Sequence, residues 1–154
     1  MNLKIEIKNL DKIKKALAKS PMTIGKYVNE AIQKSIYQIE RTTKPKIPFG
    51  ASGGLKGSFF TQFSTLRGAI GWGAQYAIFV HEGTRPHWTS VKNLEEWAAK
   101  KGINPYAVQR SIARKGTKAQ PFLKEGLAEA ENNIQKYFAE GLENTLNQIA
   151  KEAN

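Results

Sequence analysis

The residues best suited to chemistry lie close together at His81, Glu82 and His87. Imidazoles and carboxylates are common metal ligands. However, His81 and His87 are the only histidines of the chain, and the segment lacks the second histidine of an HExxH motif. A metal site needs several ligands in a fixed geometry. We therefore interpret the segment as a polar loop with solvated or hydrogen-bonded imidazoles, and we expect no metal or cofactor.

Other catalytic patterns are equally weak. Asp11 is the only aspartate, so a Ser-His-acid triad would have to take Glu82 or another glutamate as its acid. Glu95 and Glu96 are adjacent in a predicted helix and point apart. The glycine-rich residues 50–58 lack the GK[ST] ending of a phosphate loop, and the absence of cysteine excludes thiol chemistry. We predict that the chain is not an enzyme.

Length and composition are typical of one soluble globular domain, here residues 1–154, because 40% of the 154 residues are hydrophobic and 24% are charged. The longest uncharged run, residues 68–81, is shorter than the ~20 apolar residues of a membrane helix. The N-terminus lacks the apolar segment of a signal peptide. We expect no membrane segment and a cytoplasmic protein.

Charge is distributed unevenly along the chain, whose net charge is +11. Residues 1–120 carry 21 basic and 7 acidic side chains, whereas residues 121–154 carry 3 basic and 6 acidic ones. A basic body favours polyanions such as nucleic acid, and opposite charges on two parts of the chain equally favour contact between subunits.

The first half of the chain predicts a strand, two helices and a hairpin. Alternation over residues 3–7 indicates a half-buried strand, and a helix follows from Asn9 or Asp11 through Ala18. Apolar residues between Ile24 and Ile39 recur at helical spacing. They predict a second helix that ends near Thr43. Residues 44–57 are rich in glycine and proline and predict a flexible loop. Aromatic and small residues at 59–63 and 67–72 indicate an antiparallel hairpin.

The second half is predicted to be mainly helical. Residues 76–80 are too few to distinguish a strand from a helical turn. Within the segment 89–115, two short helices joined by a glycine turn fit the spacing. Pro121 begins a helix of about 45 Å. Its predicted apolar stripe is Leu123, Leu127, Ala130, Ile134, Phe138, Leu142, Leu146 and Ile149.

These elements predict an α+β fold. A small antiparallel sheet packs against a long N-terminal helix and a long C-terminal helix, and a short helical hairpin is inserted at residues 89–115.

Residues 93–114 also approximate a helix-turn-helix motif, in which Gln109, Arg110 and Arg114 would face a DNA groove. Lys101 opposes this interpretation because the motif requires an apolar residue there, and the second helix is short. Glycine turns between helices are common in other folds. The three tryptophans could stack on bases, although core or interface roles are more usual.

Two segments resemble a known family, the tail-completion or neck proteins of long-tailed bacteriophages and prophages. The first is YAIFVHEGTRPH, residues 76–87, which carries the tyrosine-alanine pair and the glycine-threonine turn. The second is ARKGTKAQPFLKEGLAEA, residues 113–130, in which glutamine-proline-phenylalanine begins the last helix. Gly54, Leu55 and Ser58 are similar to the glycine-leucine segment before the hairpin. The resemblance covers nearly the whole chain, except that LEEWAAKKGINPY matches only some members.

The resemblance implies an α+β subunit without enzyme activity that joins the tail to the head connector during virion assembly. Its expected partners are other copies of itself in a ring, the tail tube or tail terminator, and head connector proteins, with at most non-specific DNA contact. Its expected locations are the neck or tail end of the virion and, during assembly, the host cytoplasm.

We expect the loops around residues 82–90 and 115–120 to be assembly surfaces that are mobile in the free subunit, because they are basic and have few apolar anchors. The acidic face of a neighbour's last helix, with Glu125, Glu129 and Glu131, is the expected counterpart. The predicted interface residues are Glu82, Gly83, Thr84, Arg85, Pro86, Lys115, Lys118, Gln120, Pro121 and Phe122.

Two alternative functions remain open from the sequence. One is a sequence-specific DNA-binding regulator that uses residues 93–114. The other is a nucleic-acid-binding accessory protein that acts through charge alone.

Overall fold

A computed structural model describes residues 21–48, 50 and 53–152. The predicted strand at residues 3–7 and the helix through Ala18 lie outside these residues. The described elements are α1 (Pro21–Thr43), a 3₁₀ turn (Lys44–Lys46), α2 (Gly54–Gly57), β1 (Phe59–Ser64), β2 (Arg67–Trp72), α3 (Ala77–Glu82), α4 (Lys92–Lys101), α5 (Pro105–Lys115) and α6 (Phe122–Glu152). The fold is α+β, as predicted, with a two-stranded antiparallel sheet and two long helices.

The described residues form two compact units. The first, which we call the helix unit, contains residues 21–42, 61–70 and 127–152. The second, the loop unit, contains the described parts of residues 43–60 and 71–126. The single domain expected from composition stays a prediction.

The core of the helix unit joins the hairpin to both long helices. Ile36 and Ile39 of α1 cluster with Ala130 of α6, and Ile70 of β2 packs against them. Gly68 lies so close to α1 that an added Cβ would be 2.7 Å from the Ile36 side chain. Only a residue without a side chain permits this approach of strand to helix. The sheet therefore packs on the two long helices, as predicted.

The hairpin turn is fixed to α1 by one hydrogen bond. The Leu66 N–H donates to Asn29 Oδ1 over 2.6 Å, and Leu66 has a positive φ of 57°. The strands predicted at residues 59–63 and 67–72 are confirmed.

The apolar stripe of α6 differs from its prediction near the C-terminus. Leu146 is 55% exposed, whereas Gly141 and Thr145 are buried. Gly141 lies against α1, because an added Cβ would be 3.3 Å from the Tyr27 carbonyl oxygen. Small residues permit this close approach, and the continued spacing of 3.6 residues per turn carries Leu146 out of the contact.

The loop unit contains more helix than the sequence predicted. Residues 44–57, expected to be a loop, include the 3₁₀ turn and α2, and they bury Ile47 and Leu55. Their flexibility stays a prediction. The ambiguous residues 76–80 are mainly helical and belong largely to α3.

The predicted helical hairpin of α4 and α5 is confirmed. Gly102, at φ 66°, forms the turn after α4. Asn104 caps α5, since its side-chain oxygen accepts from the Tyr106 N–H over 2.8 Å. None of the helices in the described part of the chain has the length and apolar character needed to cross a membrane.

Candidate functional site

The two segments predicted as assembly surfaces are joined at Thr84 and Thr117. These residues form an isolated antiparallel bridge, in which the Thr84 N–H donates to the Thr117 carbonyl (3.1 Å) and the Thr117 N–H to the Thr84 carbonyl (3.2 Å). Their hydroxyl oxygens are 3.0 Å apart. We call residues 83–90 and 116–121 the paired loops.

A glycine precedes each threonine of the bridge, and both glycines have positive φ, at 75° for Gly83 and 73° for Gly116. An added Cβ on Gly83 would be 2.6 Å from the Thr117 carbonyl oxygen, and one on Gly116 would overlap the Thr84 carbonyl oxygen. Both backbone conformation and space therefore require glycine at the two positions.

Further main-chain contacts hold the paired loops. The Gln120 N–H donates to the Val80 carbonyl over 3.0 Å, and the His87 N–H donates to the Ile112 carbonyl over 3.4 Å. The loops contain few apolar side chains. The loops are anchored instead by backbone groups, which composition does not reveal.

Aromatic rings pack around Phe122, the residue that follows the second of the paired loops. Phe122 contacts Trp72 edge-on at 5.3 Å between ring centroids and His81 at 5.1 Å. Because Phe122 is 2% exposed, its side chain offers no surface to a partner, and its expected place in an interface does not fit the structure. It serves instead to fix the start of α6 beside the loops.

The other predicted interface residues are more accessible. Gly83, Thr84 and Pro121 are half-buried. The exposed members are Glu82, Arg85, Pro86, Lys115, Lys118 and Gln120.

The histidines are hydrogen-bonded, but the polar loop expected at His81 and Glu82 is wrong, because both residues belong to α3. His81 is buried, and its Nδ1 lies 2.9 Å from Glu82 Oε1. The His87 Nδ1 lies 2.9 Å from the Arg85 carbonyl oxygen. The described residues contain no group of three potential metal ligands.

Sequence reasoning missed an exposed apolar surface on and just before α3. Tyr76, Ile78 and Phe79 are exposed, and Phe79 is 58% accessible. Five apolar residues are too few to distinguish a helix from a buried strand, so the outward direction of these side chains was not predictable.

Gln109 is not available to read DNA bases. Its side-chain amide donates to the Thr89 carbonyl over 2.8 Å, and the residue is half-buried. This hydrogen bond weighs against the helix-turn-helix interpretation, which stays a prediction, because Gln109 is the residue best suited to recognise adenine.

A groove in the helix unit, about 270 Å³, is lined by Asn29, Ile32, Gln33, Phe63, Ser64, Thr65 and Arg67. Arg67 is the charged residue of this lining.

Comparison of the chain with protein-family models, curated proteins and solved structures finds no match.

Proposed function

We propose that the chain is a non-enzymatic structural subunit of a bacteriophage or prophage, which joins the tail to the head connector as a tail-completion or neck protein. In this proposal it assembles with copies of itself and with tail and connector proteins. The paired loops and the exposed side chains of α3 are the contact surfaces.

The main support is the bridge between Thr84 and Thr117. The glycine-threonine turn and the segment before the last helix are the two motifs that carry the family resemblance, and 33 residues separate the two threonines. In the structure the two motifs form one surface, with glycines that admit no side chain. Two motifs that share one surface are expected when both serve the same contact.

The exposed side chains near the loops are a second support. Ile78 and Phe79 lie on α3, which leads directly into the first loop. An apolar center with a polar rim is typical of protein interfaces. Arg85 and Lys118 supply charged side chains within the paired loops.

A regulator that binds DNA through residues 93–114 is the second candidate. The exposed Arg110 and Arg114 of α5 favour it. The hydrogen bond of Gln109 to the Thr89 carbonyl opposes it, because base reading would require that bond to break.

Deletion of the gene from the phage or prophage that carries it tests the proposal. We expect electron microscopy to find complete heads and complete tails that remain separate, with the chain present by mass spectrometry only in joined wild-type particles. Normal particles with altered phage transcription would support the regulator and contradict the joining role.

A further inference from the structure

We propose that the exposed face of α5 binds the phosphate backbone of duplex DNA without reading its sequence. This goes beyond the joining role, because it assigns a nucleic-acid contact to a helix outside the paired loops.

The face is defined by the exposure pattern of α5. Val108, Gln109 and Ile112 are half-buried, and the exposed residues follow helical spacing on the other side. Those residues are Tyr106, Ala107, Arg110, Ser111, Arg114 and Lys115.

Three cations, Arg110, Arg114 and Lys115, lie on this face, and the two arginines share one line along the helix. Arg110 and Arg114 are one helical turn apart and extend the line that begins at Tyr106, over about 12 Å. Ala107 and Ser111 are small, so they leave the guanidinium groups clear of neighbouring bulk. Among the described residues, neither arginine forms an ion pair. Both are free to donate to phosphate oxygens.

Both ends of α5 are capped by hydrogen bonds. Asn104 caps its N-terminus, and the Gly116 N–H donates to the Ile112 carbonyl over 2.8 Å at its C-terminus. A preorganised face loses little entropy on binding.

Charge favours DNA over the loop unit of a second copy of the chain. The loop unit carries 12 basic and 4 acidic residues, a net +8 of the chain's +11, so two such units repel. The face also lacks the apolar center of a protein interface, since Tyr106 is its only large apolar side chain. Phosphate contacts position a protein on DNA but carry no sequence information, and Gln109, the side chain suited to read a base, is already engaged.

Titration of the full chain with a 30-base-pair duplex of mixed sequence at several salt concentrations tests the proposal. In this proposal Arg110, Arg114 and Lys115 each contact one phosphate. We therefore expect the logarithm of the binding constant to fall with a slope of about −2.7 against the logarithm of salt concentration. Arg110→Gln with Arg114→Gln should reduce the slope to about −0.9 and weaken binding about a hundredfold at 0.1 M salt.

Arg41→Gln with Arg67→Gln is the matched control, because it removes two exposed arginine charges from the helix unit. This pair should leave the slope nearly unchanged. Equal effects of the two pairs would attribute binding to net charge and overturn the proposal, as would absence of binding at 50 mM salt.

Two further measurements distinguish non-specific DNA binding from the other possible partners of this face of α5. A thousandfold preference for one sequence over random duplex would overturn non-specific binding and support the regulator. Sedimentation that shows self-association lost only in the arginine pair, without DNA binding, would assign the face to a second copy. Neither result depends on the paired loops, so the joining role can fail or succeed separately.

Discussion

Thr84 and Thr117 are 33 residues apart in the chain, and they exchange two backbone hydrogen bonds while their hydroxyl groups meet at 3.0 Å. The Thr84 hydroxyl also accepts from the Thr117 N–H over 3.0 Å. This single bridge converts two separate loops into one surface, on which the proposed joining role depends.

The hydroxyl contact should be measurable as an energetic coupling between the two threonines. In a double-mutant cycle of Thr84→Val and Thr117→Val, we expect a coupling of about 0.5 to 1 kcal/mol in the free energy of unfolding, because each substitution removes the same hydrogen bond. Urea denaturation measures it. Strictly additive losses would mean that the hydroxyl groups do not interact in solution.

Gly116→Ala should be far more destabilising than Gly102→Ala. Both glycines follow a helix at positive φ, but only Gly116 has backbone atoms of Thr84 in the space of a Cβ. We expect Gly116→Ala to cost at least about 3 kcal/mol and Gly102→Ala to cost about 1 kcal/mol. Chemical denaturation of both variants checks the difference. Similar losses would contradict the close approach of the paired loops.

Thr43→Val should stabilise the protein. Thr43 is fully buried, and its Oγ1 has no hydrogen-bond partner among the described residues. Removing an unpaired buried hydroxyl at nearly constant volume should raise the free energy of unfolding by about 1 kcal/mol.

The neighbouring Thr42→Val is the control, because the Thr42 hydroxyl donates to the Gln38 carbonyl over 3.0 Å. The Thr42→Val variant should lose about 1 kcal/mol in the free energy of unfolding. A loss at both positions would show that the Thr43 hydroxyl is satisfied in solution.

Phe138→Ala should destabilise the helix unit. Phe138 lines an apolar cleft with Ile24 and Leu142 and is half-buried, so we expect a cost of about 2 kcal/mol, less than for a fully buried phenylalanine. Leu146→Ala, at an exposed position of α6, should cost less than about 0.5 kcal/mol. Thermal unfolding compares the two variants. Equal losses of stability would contradict the finding that Phe138 is packed and Leu146 is exposed.

Periodicity predicted the long elements well because each buries one continuous face. The spacing of Ile24, Ala31 and Ile39 indicated α1 and its end near Thr43, and the hairpin followed from its aromatic strands. The burial of Thr145 in place of Leu146 on α6 was not predictable, because apolar spacing alone favours leucine over a small polar residue.

The candidate site was predictable as two segments but not as one surface. Gly83 and Gly116 indicated turns. However, neither segment contains a pattern that indicates pairing of its backbone with the other segment. The exposure of Phe79 was also hidden, because a short apolar run is read as core by default. Long-range pairing and outward-facing apolar groups both depend on the tertiary fold.

Joining of heads and tails in extracts tests the central claim most directly. An extract from cells that lack the gene is supplied with purified chain, and joined particles are counted by electron microscopy. We expect the wild-type chain to restore joining. A control with Lys26→Ala and Lys136→Ala, two exposed lysines of the helix unit, should match it, whereas Arg85→Ala with Lys118→Ala in the paired loops should restore little. Joined particles in the extract before any chain is added, or no gain after adding the wild-type chain, would contradict the joining role.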